Sequence, residues 1–197
     1  ESCIVDKNKI IYLNNETSFP NSYFLNNYMK LFMAQFHRQY GCYENYSENY
    51  FSAMPFLPWM INYKSNTNIL DETGKDINFL KNFYSKKTKP ISIICSNKVF
   101  TENHKIRYEF AKKLKNHFGN NLEWFGEGVN PIDNKWEGIK DYKYHIVLEN
   151  AQRNNLISEK LLDSYLGLSY PLYFGAPNVT DYFSNKSLQT INIYNFK

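Results

Sequence analysis

The sequence of 197 residues lacks the features of a membrane-spanning or disulfide-rich protein. No run approaches the roughly 20 apolar residues that a membrane-spanning helix needs, and no signal peptide is expected at its start. The three cysteines, Cys3, Cys42 and Cys95, form no C-x-x-C pair and are odd in number. A disulfide framework or a zinc site is therefore not expected, and Cys95 is interpreted as a small core residue in a reducing compartment.

Several catalytic signatures are also absent from the sequence. It contains no G-x-S-x-G, no P-loop, no G-x-G-x-x-G and no D-x-D pair, and none of its four histidines has a partner at metal-ligand spacing. These absences argue against hydrolase triads, nucleotide kinases and obligate metal sites. His145 lies within an apolar run and is interpreted as structural.

What the sequence does contain is apolar and aromatic residues, 43% and 18% respectively, which are enough for a core. The net charge of +4 is mild. It fits an ordinary solvated surface, or attraction to an anionic ligand or a membrane surface. The lysine clusters at 86–89 and 112–115 are too short and too poor in arginine to predict nucleic-acid binding.

The chain up to residue 89 carries weak secondary-structure signals. Residues 9–13 predict a strand, and apolar spacing predicts a helix over 22–37. Pro55 and Pro58 exclude a regular helix or a central strand around them. Residues 64–89 are polar and lysine-rich, so we interpret them as a linker between two lobes.

From residue 90 onward, apolar runs of strand length alternate with helical patterns. This alternation predicts a parallel sheet with helices on its faces. The predicted strands cover 90–95, 121–125, 144–148, 171–174 and 188–193. The predicted helices of this region cover 104–118 and a segment that begins after residue 158, and a further helix is predicted over 77–84 in the linker.

The most informative stretch runs from 144 to 177. Ser158 stands at a helix N-cap position, directly before Glu159 and Lys160, in a strand–loop–helix–strand pattern. Ligands of such units bind beyond the carboxyl ends of the strands. At a helix N-terminus a carboxylate can accept hydrogen bonds from ribose hydroxyls, and a lysine can contact a phosphate. The alternative is ordinary helix-start chemistry.

Two other candidates stand outside that stretch. Arg107 follows a buried-type strand and could face the same crevice as Ser96 and Asn97, where its guanidinium would pair with phosphate oxygens. The alternative is a solvated helix face. Glu16 lies in a polar turn after the first strand and could be a general base, or simply a surface residue.

Taken together, these motifs resemble the α-1,3/1,4-fucosyltransferases of glycosyltransferase family 10. The C-terminal motifs are the most specific, the Ser-Asn and Arg segment comes second, and the N-terminal segments are weaker. The matching segments are Leu148-Glu-Asn-Ala-Gln152, Ile157-Ser-Glu-Lys160, Tyr170-Pro-Leu-Tyr-Phe-Gly-Ala-Pro177, Cys95-Ser-Asn97 with the segment 107–114, and the stretches 12–20 and 49–55.

The resemblance implies an α/β fold of the GT-B type, with two Rossmann-like lobes facing a cleft. Residues 1–63 would form a short or truncated acceptor-side lobe, 64–89 the linker, and 90–197 the lobe that binds the nucleotide sugar. The implied reaction is the inverting transfer of fucose from GDP-fucose to a hydroxyl of a glycan acceptor. It implies no cofactor and no divalent metal. The implied partners are a GDP-sugar donor and an oligosaccharide or glycoconjugate acceptor, with possible peripheral membrane association and no nucleic acid.

The resemblance also assigns roles to residues. Glu159 would hold the ribose, Lys160 and Arg107 would contact the diphosphate, and Glu16 would deprotonate the acceptor hydroxyl. The sequence departs from the family at Leu156, where some members carry an aromatic residue near the donor. The other implied donor-binding residues are Glu149, Asn150, Ser96 and Asn97.

Three other functions stay open at this point. The first is a GT-B transferase that uses another GDP-sugar, and the second is a non-catalytic glycan- or nucleotide-binding member of the fold. The third is an RNA-binding module, suggested by positive charge among many tyrosines. The acceptor would be chosen by loops of the first lobe, for which residues 41–63 are the candidates. A cytoplasmic or peripheral-membrane enzyme of bacterial or viral type is favoured over a trimmed lumenal domain.

Overall fold

The computed structural model of the protein describes residues 5–14, 31–42, 48–55, 59–61, 75 and 77–195. The candidate base Glu16 lies outside the described residues. So does most of the helix predicted over 22–37, of which residues 31–37 are described and only 31–33 are helical.

A small parallel sheet lies near the start of the chain. Its three strands run in the order β1-β2-β3, with Ile11 opposite Arg38 and Gln39 opposite Tyr50. The strand predicted over 9–13 is confirmed, and the third strand is an edge strand, which agrees with the prolines that follow it. The strands are β1 (Ile11–Leu13), β2 (Arg38–Gly41) and β3 (Tyr50–Ser52).

A larger parallel sheet of five strands, in the order β5-β4-β6-β7-β8, forms the second half of the chain. The parallel sheet predicted from residue 90 onward is confirmed. The last strand is shorter than the predicted range 188–193, because only two of its residues pair with β7. The strands are β4 (Lys89–Ile94), β5 (Leu122–Phe125), β6 (Tyr142–Leu148), β7 (Tyr170–Phe174) and β8 (Gln189–Thr190).

Three α-helices are described completely, and all three lie where the sequence predicts helices. The longest, α2, begins after Thr101, whose side chain accepts a hydrogen bond from the backbone N–H of His104, and ends at Gly119, which adopts a left-handed φ of 55°. The helices are α1 (Ile77–Asn82), α2 (Glu102–Phe118) and α3 (Glu159–Leu166). Short 3-10 helices cover Lys7–Lys9, Gly119–Asn121, Lys135–Gly138 and Val179–Asp181.

The larger sheet has an apolar core on each face, and β6 contributes to both. Ile146 packs with Phe110 and Leu114 of α2, whereas the next residue, Val147, packs with Leu161 of α3 and with Tyr173. Successive residues of a strand point to opposite faces. A strand covered on both faces therefore reads as an unbroken apolar run, which is why β6 was predictable.

The two sheets are joined by contacts with the segment that follows β6. Leu156 is fully buried and packs with Cys42 and Tyr50 from the first sheet. Asn155 donates a hydrogen bond from Nδ2 to Ser52 Oγ at 2.6 Å. The division at residues 63 and 89 stays a prediction. Within the described residues, no helix is long and apolar enough to cross a membrane.

Candidate functional site

A crevice of about 360 Å³ opens at the carboxyl ends of β4, β5 and β6. β4 lies between β5 and β6, so the chain leaves β4 toward one side of the sheet and later returns on the other. The loops after β4 and β6 therefore diverge, and such a switch point is where open α/β sheets bind ligands. Its volume lies in the range of small-molecule sites.

Arg107 on α2 forms one wall of this crevice. It is 7% exposed, and its Nη1 donates a hydrogen bond to Oδ1 of Asn150, which follows β6. The two residues thus connect the two sides of the switch point. The Nε of Arg107 is buried and has no hydrogen-bond partner within the described residues. A buried guanidinium with an unused donor is suited to an anionic ligand.

The start of α3 forms the opposite wall and rests on Glu149. Glu149 is buried, and its carboxylate accepts hydrogen bonds from Ser158 N at 2.8 Å and Ser158 Oγ at 2.6 Å. Ser158 in turn is the N-cap, and its Oγ accepts from Lys160 N at 3.4 Å and Lys160 Nζ at 3.0 Å. Glu149 therefore supports the first turn of the helix from beneath.

Glu159 is the carboxylate that the helix start presents to the crevice. Burial alone would raise its pKa, but the charges of Lys160 and Lys135 outweigh burial and hold the pKa of Glu159 at about 2. The side chain is therefore ionised at neutral pH and acts only as a hydrogen-bond acceptor. A hydroxyl-bearing group such as a ribose is a matching donor.

Lys135 is a site residue that the sequence patterns missed. It lies in the 3-10 helix after Asn134, whose side chain caps that helix, and it also lines the crevice. Its Nζ donates to Glu159 Oε1 at 3.0 Å and to Asp163 Oδ2 at 3.3 Å. Burial opposes its charge, but Glu159 and then Asp163 raise the pKa of Lys135. The available signal was the spacing of four between the two acids, which places both on one helix face.

His104 and Lys98 also line the crevice and were not predicted. His104 lies in the first turn of α2, where its Nδ1 is 2.8 Å from Thr101 Oγ1. Burial, followed by the charges of Arg107, Lys160 and Lys98, lowers the pKa of His104. Lys98 pairs with Glu127 at 2.8 Å. The crevice is therefore rich in cationic and potentially cationic groups.

Gly126 lets the loop after β5 close against the end of β4. It has a φ of 145°, and a Cβ there would lie 2.5 Å from the carbonyl oxygen of Cys95. Gly128 is packed as closely, because a Cβ would lie 2.2 Å from Nδ2 of Asn97. A larger residue at Gly126 would push this wall of the crevice away from β4, whereas one at Gly128 would strain the backbone at a φ of 72° and displace the Asn97 side chain.

Most of the predicted donor-site residues meet at the crevice, although their roles in binding stay predictions. Asn97 lies under the turn at Gly128, and Glu149 is buried behind the helix start. Glu16 is outside the described residues. The residues that line the crevice as predicted are Ser96, Arg107, Asn150, Glu159 and Lys160.

The arrangement can bind a ligand that carries both anionic groups and hydroxyls. Arg107, Lys135 and Lys160 supply positive charge, and the N-terminus of α3 adds its dipole. Glu159 supplies an ionised acceptor. Across the part of the chain that the structure describes, no cluster of three or more His, Cys, Asp or Glu residues could hold a metal ion.

Comparison with known proteins gives consistent matches. The profile of a family described as glycosyltransferase family 10 (fucosyltransferase), C-terminal part, matches residues 84–197. The alpha-(1,3)-fucosyltransferase FucT of Helicobacter pylori is 35% identical over 66 residues, which cover 34% of this chain and 13% of that protein.

Solved structures of an α1,3-fucosyltransferase also resemble the chain. The structure with GDP has a TM-score of 0.59 at 20% identity, and the structure with GDP-fucose has a TM-score of 0.58 at 21% identity. Each match covers 95% of this chain and 58% of the other. The chain thus spans less than two thirds of the relatives it matches. The likeness confirms the expected α/β fold of the GT-B type.

Proposed function

Because the chain belongs to glycosyltransferase family 10, the fucosyltransferase family, we propose that it acts in the inverting transfer of fucose from GDP-fucose to a hydroxyl of a glycan acceptor. The crevice at the ends of β4 and β6 is the proposed binding site for the GDP part of the donor. The observation that carries the proposal is the meeting of Arg107, Glu159 and Lys160, from two separate helices, at the switch point of the sheet.

The chemistry of GDP fits these side chains. Its diphosphate would accept hydrogen bonds from Lys160 and from the guanidinium of Arg107, whose Nε is the unused buried donor. Its ribose hydroxyls would donate to the ionised carboxylate of Glu159. Asn150 holds the guanidinium in place through Nη1.

The same groups would stabilise the leaving group. In the transfer, the bond between the anomeric carbon of fucose and the β-phosphate oxygen breaks, and its electrons stay on GDP. In the proposed binding mode, Arg107, Lys160 and the N-terminus of α3, which line the crevice, would stabilise this developing charge. The acceptor oxygen attacks from the opposite face of the sugar ring, so one displacement inverts the anomeric carbon.

The proton of the acceptor hydroxyl needs a base, for which we propose Glu16. Because the cations of the crevice can neutralise the diphosphate, and because the sequence has no D-x-D pair, we expect no requirement for a divalent metal. In Glu16→Gln we expect the transfer of fucose to be lost while the affinity for GDP stays unchanged. Unchanged transfer by that variant would reject the base assignment.

A related function that the site also supports is transfer from another GDP-sugar. The described crevice residues suit the diphosphate and the ribose, which all GDP-sugars share. Transfer and hydrolysis assays over a panel of GDP-sugars distinguish the two, with GDP-fucose expected to be the preferred donor. Equal use of several donors would favour the alternative.

The nucleotide site can be tested with GDP alone. Millimolar GDP is expected to raise the Tm of the wild type. Arg107→Ala and Glu159→Ala should each weaken GDP binding by roughly 10–100-fold in calorimetry, since each removes a hydrogen bond to a charged group. Lys112→Ala is the matched control, because Lys112 is an exposed residue of α2 that pairs with Glu109 at 2.9 Å. Absence of any Tm shift with GDP would reject the proposal.

A further inference from the structure

From the crevice wall inward, three charged side chains form a connected row that we call the acid–lysine–acid row: Glu159, Lys135 and Asp163. Lys135 Nζ lies 3.0 Å from Glu159 Oε1 and 3.3 Å from Asp163 Oδ2. The side chains of Glu159 and Asp163 are only 16% and 1% exposed. Two acids this close to each other and to the protein interior need a cation between them.

The inner end of the row is fixed by the main chain of a distant segment. Asp163 Oδ1 accepts hydrogen bonds from Met60 N at 2.7 Å and Ile61 N at 3.2 Å. Its other oxygen is thereby left for Lys135. Because Asp163 is held from both sides, the ammonium of Lys135 has a defined position from which to reach Glu159.

Lys160 cannot take the place of Lys135 in this row and also contact the diphosphate of the proposed nucleotide. Its Nζ lies 3.4 Å from Glu159 Oε1 and 3.5 Å from Glu149 Oε2, so it already faces two carboxylates. With Lys135 absent, Glu159 would lose its closer cation, at 3.0 Å, and would depend more strongly on Lys160, which Glu149 already attracts. With Lys135 present, Glu159 has its own partner.

We propose that Lys135 is a positioning residue for nucleotide binding: held by Asp163, it keeps the carboxylate of Glu159 charged and turned into the crevice, and so leaves Lys160 available for phosphate. This inference rests on the proposed function, because it assigns a role within the same nucleotide site. It adds a residue from a short 3-10 helix to a site otherwise built from α2, α3 and the ends of the strands.

The charged and titratable groups around Glu159 and Lys135 come from several elements, among them β6, whose buried His145 lies close to Lys135. The 3-10 helix contributes Lys135, and α3 itself contributes Lys160 and Asp163. Glu149 lies under the first turn of α3. The wall across the crevice contributes Arg107, His104, Lys98 and Glu127.

The test is the affinity for GDP as a function of pH, measured on the full chain. In the wild type, Glu159 should stay charged down to about pH 4, since its pKa is about 2, so a loss of affinity above that pH comes from the phosphate of GDP and from Asp163, whose pKa is about 6. In Lys135→Met, which keeps the length of the side chain but not its charge, affinity at pH 7 should fall about tenfold. Its acid limit should also move to a higher pH, because burial then acts on Glu159 with one cation fewer. Lys135→Arg should restore most of the GDP affinity at pH 7 and most of the wild-type acid limit.

Lys89→Met is the control for loss of a lysine–glutamate pair. Lys89 pairs with Glu123 at 2.9 Å at the start of β4, the end of that strand opposite to the crevice. This variant should bind GDP like the wild type at every pH. A change as large as that of Lys135→Met would mean that a general loss of ion pairs is being measured.

A double variant separates positioning from direct contact. If Lys135 acts through Glu159, then Lys135→Met should change GDP affinity by less than threefold in a Glu159→Gln background. A tenfold loss in that background, or an unchanged acid limit in the single variant, would overturn the inference while leaving the proposed function in place. Failure of the wild type to bind GDP would instead reject the proposed function, and this role with it.

A second variant guards against misfolding of Lys135→Met. In the double variant Lys135→Met with Asp163→Asn, one acid is removed together with the cation, so no buried pair of carboxylates is left uncompensated. The amide oxygen introduced by Asp163→Asn can still accept from Met60 N and Ile61 N. This variant should fold and show the same raised acid limit, and a wild-type limit would overturn the inference.

Discussion

The buried imidazole ring of His145 affects the stability of the folded protein at low pH. Its Nδ1 lies 2.8 Å from Ser92 Oγ, which itself donates to Gly138 O at 2.6 Å. Because the serine proton is used there, the ring must donate its N–H from Nδ1, which leaves Nε2 unprotonated. Burial, and then the charge of Lys135, lower the pKa of His145 to about 3.

This histidine should make the protein less stable as the pH falls. Its pKa is about 3 in the folded chain and about 6.5 in the unfolded chain. The unfolded state therefore binds more protons between these values, so the stabilisation is complete above pH 6.5 and is lost toward pH 3. The loss over that range is on the order of 5 kcal/mol.

Urea unfolding at several pH values between 7 and 4 tests this expectation. His145→Asn can still donate to Ser92 and should show a flatter decline of unfolding free energy with falling pH. The exposed His117→Asn is the control and should decline like the wild type. Asp163, whose pKa burial raises to about 6, acts in the opposite direction, but equally in all three proteins. An unaltered slope in His145→Asn would contradict the assignment.

Single residues differ in how far the sequence reveals them. The family resemblance was needed to predict Arg107, Glu159 and Lys160 as site residues, because strand order and helix-start chemistry alone also fit an ordinary helix cap and a solvated helix face. Lys135 was missed, because its partners are 24 and 28 positions away and only the spacing of those two acids hinted at a cation between them. The buried role of His145 was inferred correctly from its place in an apolar run.

Among the elements, the start of α3 depends most on one buried acid. The two carboxylate oxygens of Glu149 each accept a hydrogen bond from Ser158. In Glu149→Gln only one oxygen remains, and the amide N–H₂ faces a donor. We expect a loss of roughly 1–3 kcal/mol in unfolding free energy, since a buried donor is left unsatisfied.

This expectation can be tested by denaturant unfolding, which compares the loss of unfolding free energy in Glu149→Gln with that in Glu102→Gln. Glu102 is exposed in the first turn of α2, so its change removes a charge near a helix start without breaking a buried contact. That control should lose less than about 1 kcal/mol. Equal losses would show that charge at the helix start matters, and that the buried hydrogen bonds do not.

Elements were predictable where their local pattern matched their environment. β4, β6 and β7 read as apolar runs because both of their faces are covered. β2 was missed because Arg-Gln-Tyr-Gly has no such pattern, and its conformation is fixed by pairing with β1 and β3 on either side. Tertiary pairing of this kind overrides weak local preference.

At the scale of the molecule, Leu156 holds the two sheets together. It is fully buried against Cys42 and Tyr50, so Leu156→Ala should cost about 2–5 kcal/mol through lost contacts and a cavity. Hydrogen exchange should then speed up most in β2 and β3, because the cavity lies at their contact with the larger sheet.

Leu161→Ala is the matched control for that variant. Leu161 is equally buried, but packs between α3 and the larger sheet. Its loss should destabilise the protein by a similar amount, with exchange accelerated in β6 and β7 rather than in β2 and β3. The same exchange pattern in both variants would show that the junction at Leu156 has no separate stability.

Contacts between distant parts of the chain could not be predicted from the sequence. The hydrogen bonds from Met60 and Ile61 to Asp163 join residues more than 100 positions apart. No periodicity or cap signal encodes such a contact, because both donors are main-chain groups that any residue other than proline carries. The place of the crevice, by contrast, followed from the order of strands and helices alone.

The central position of β4 has a consequence for synthesis on the ribosome. β4 is complete at Ile94, but β6, which pairs along one of its edges, is complete only at Leu148. At roughly 5–20 residues per second, translation leaves that edge open for about 3–11 s. During this interval the nascent chain presents an apolar strand with unpaired backbone groups. Chaperones and aggregation compete with native folding at that stage.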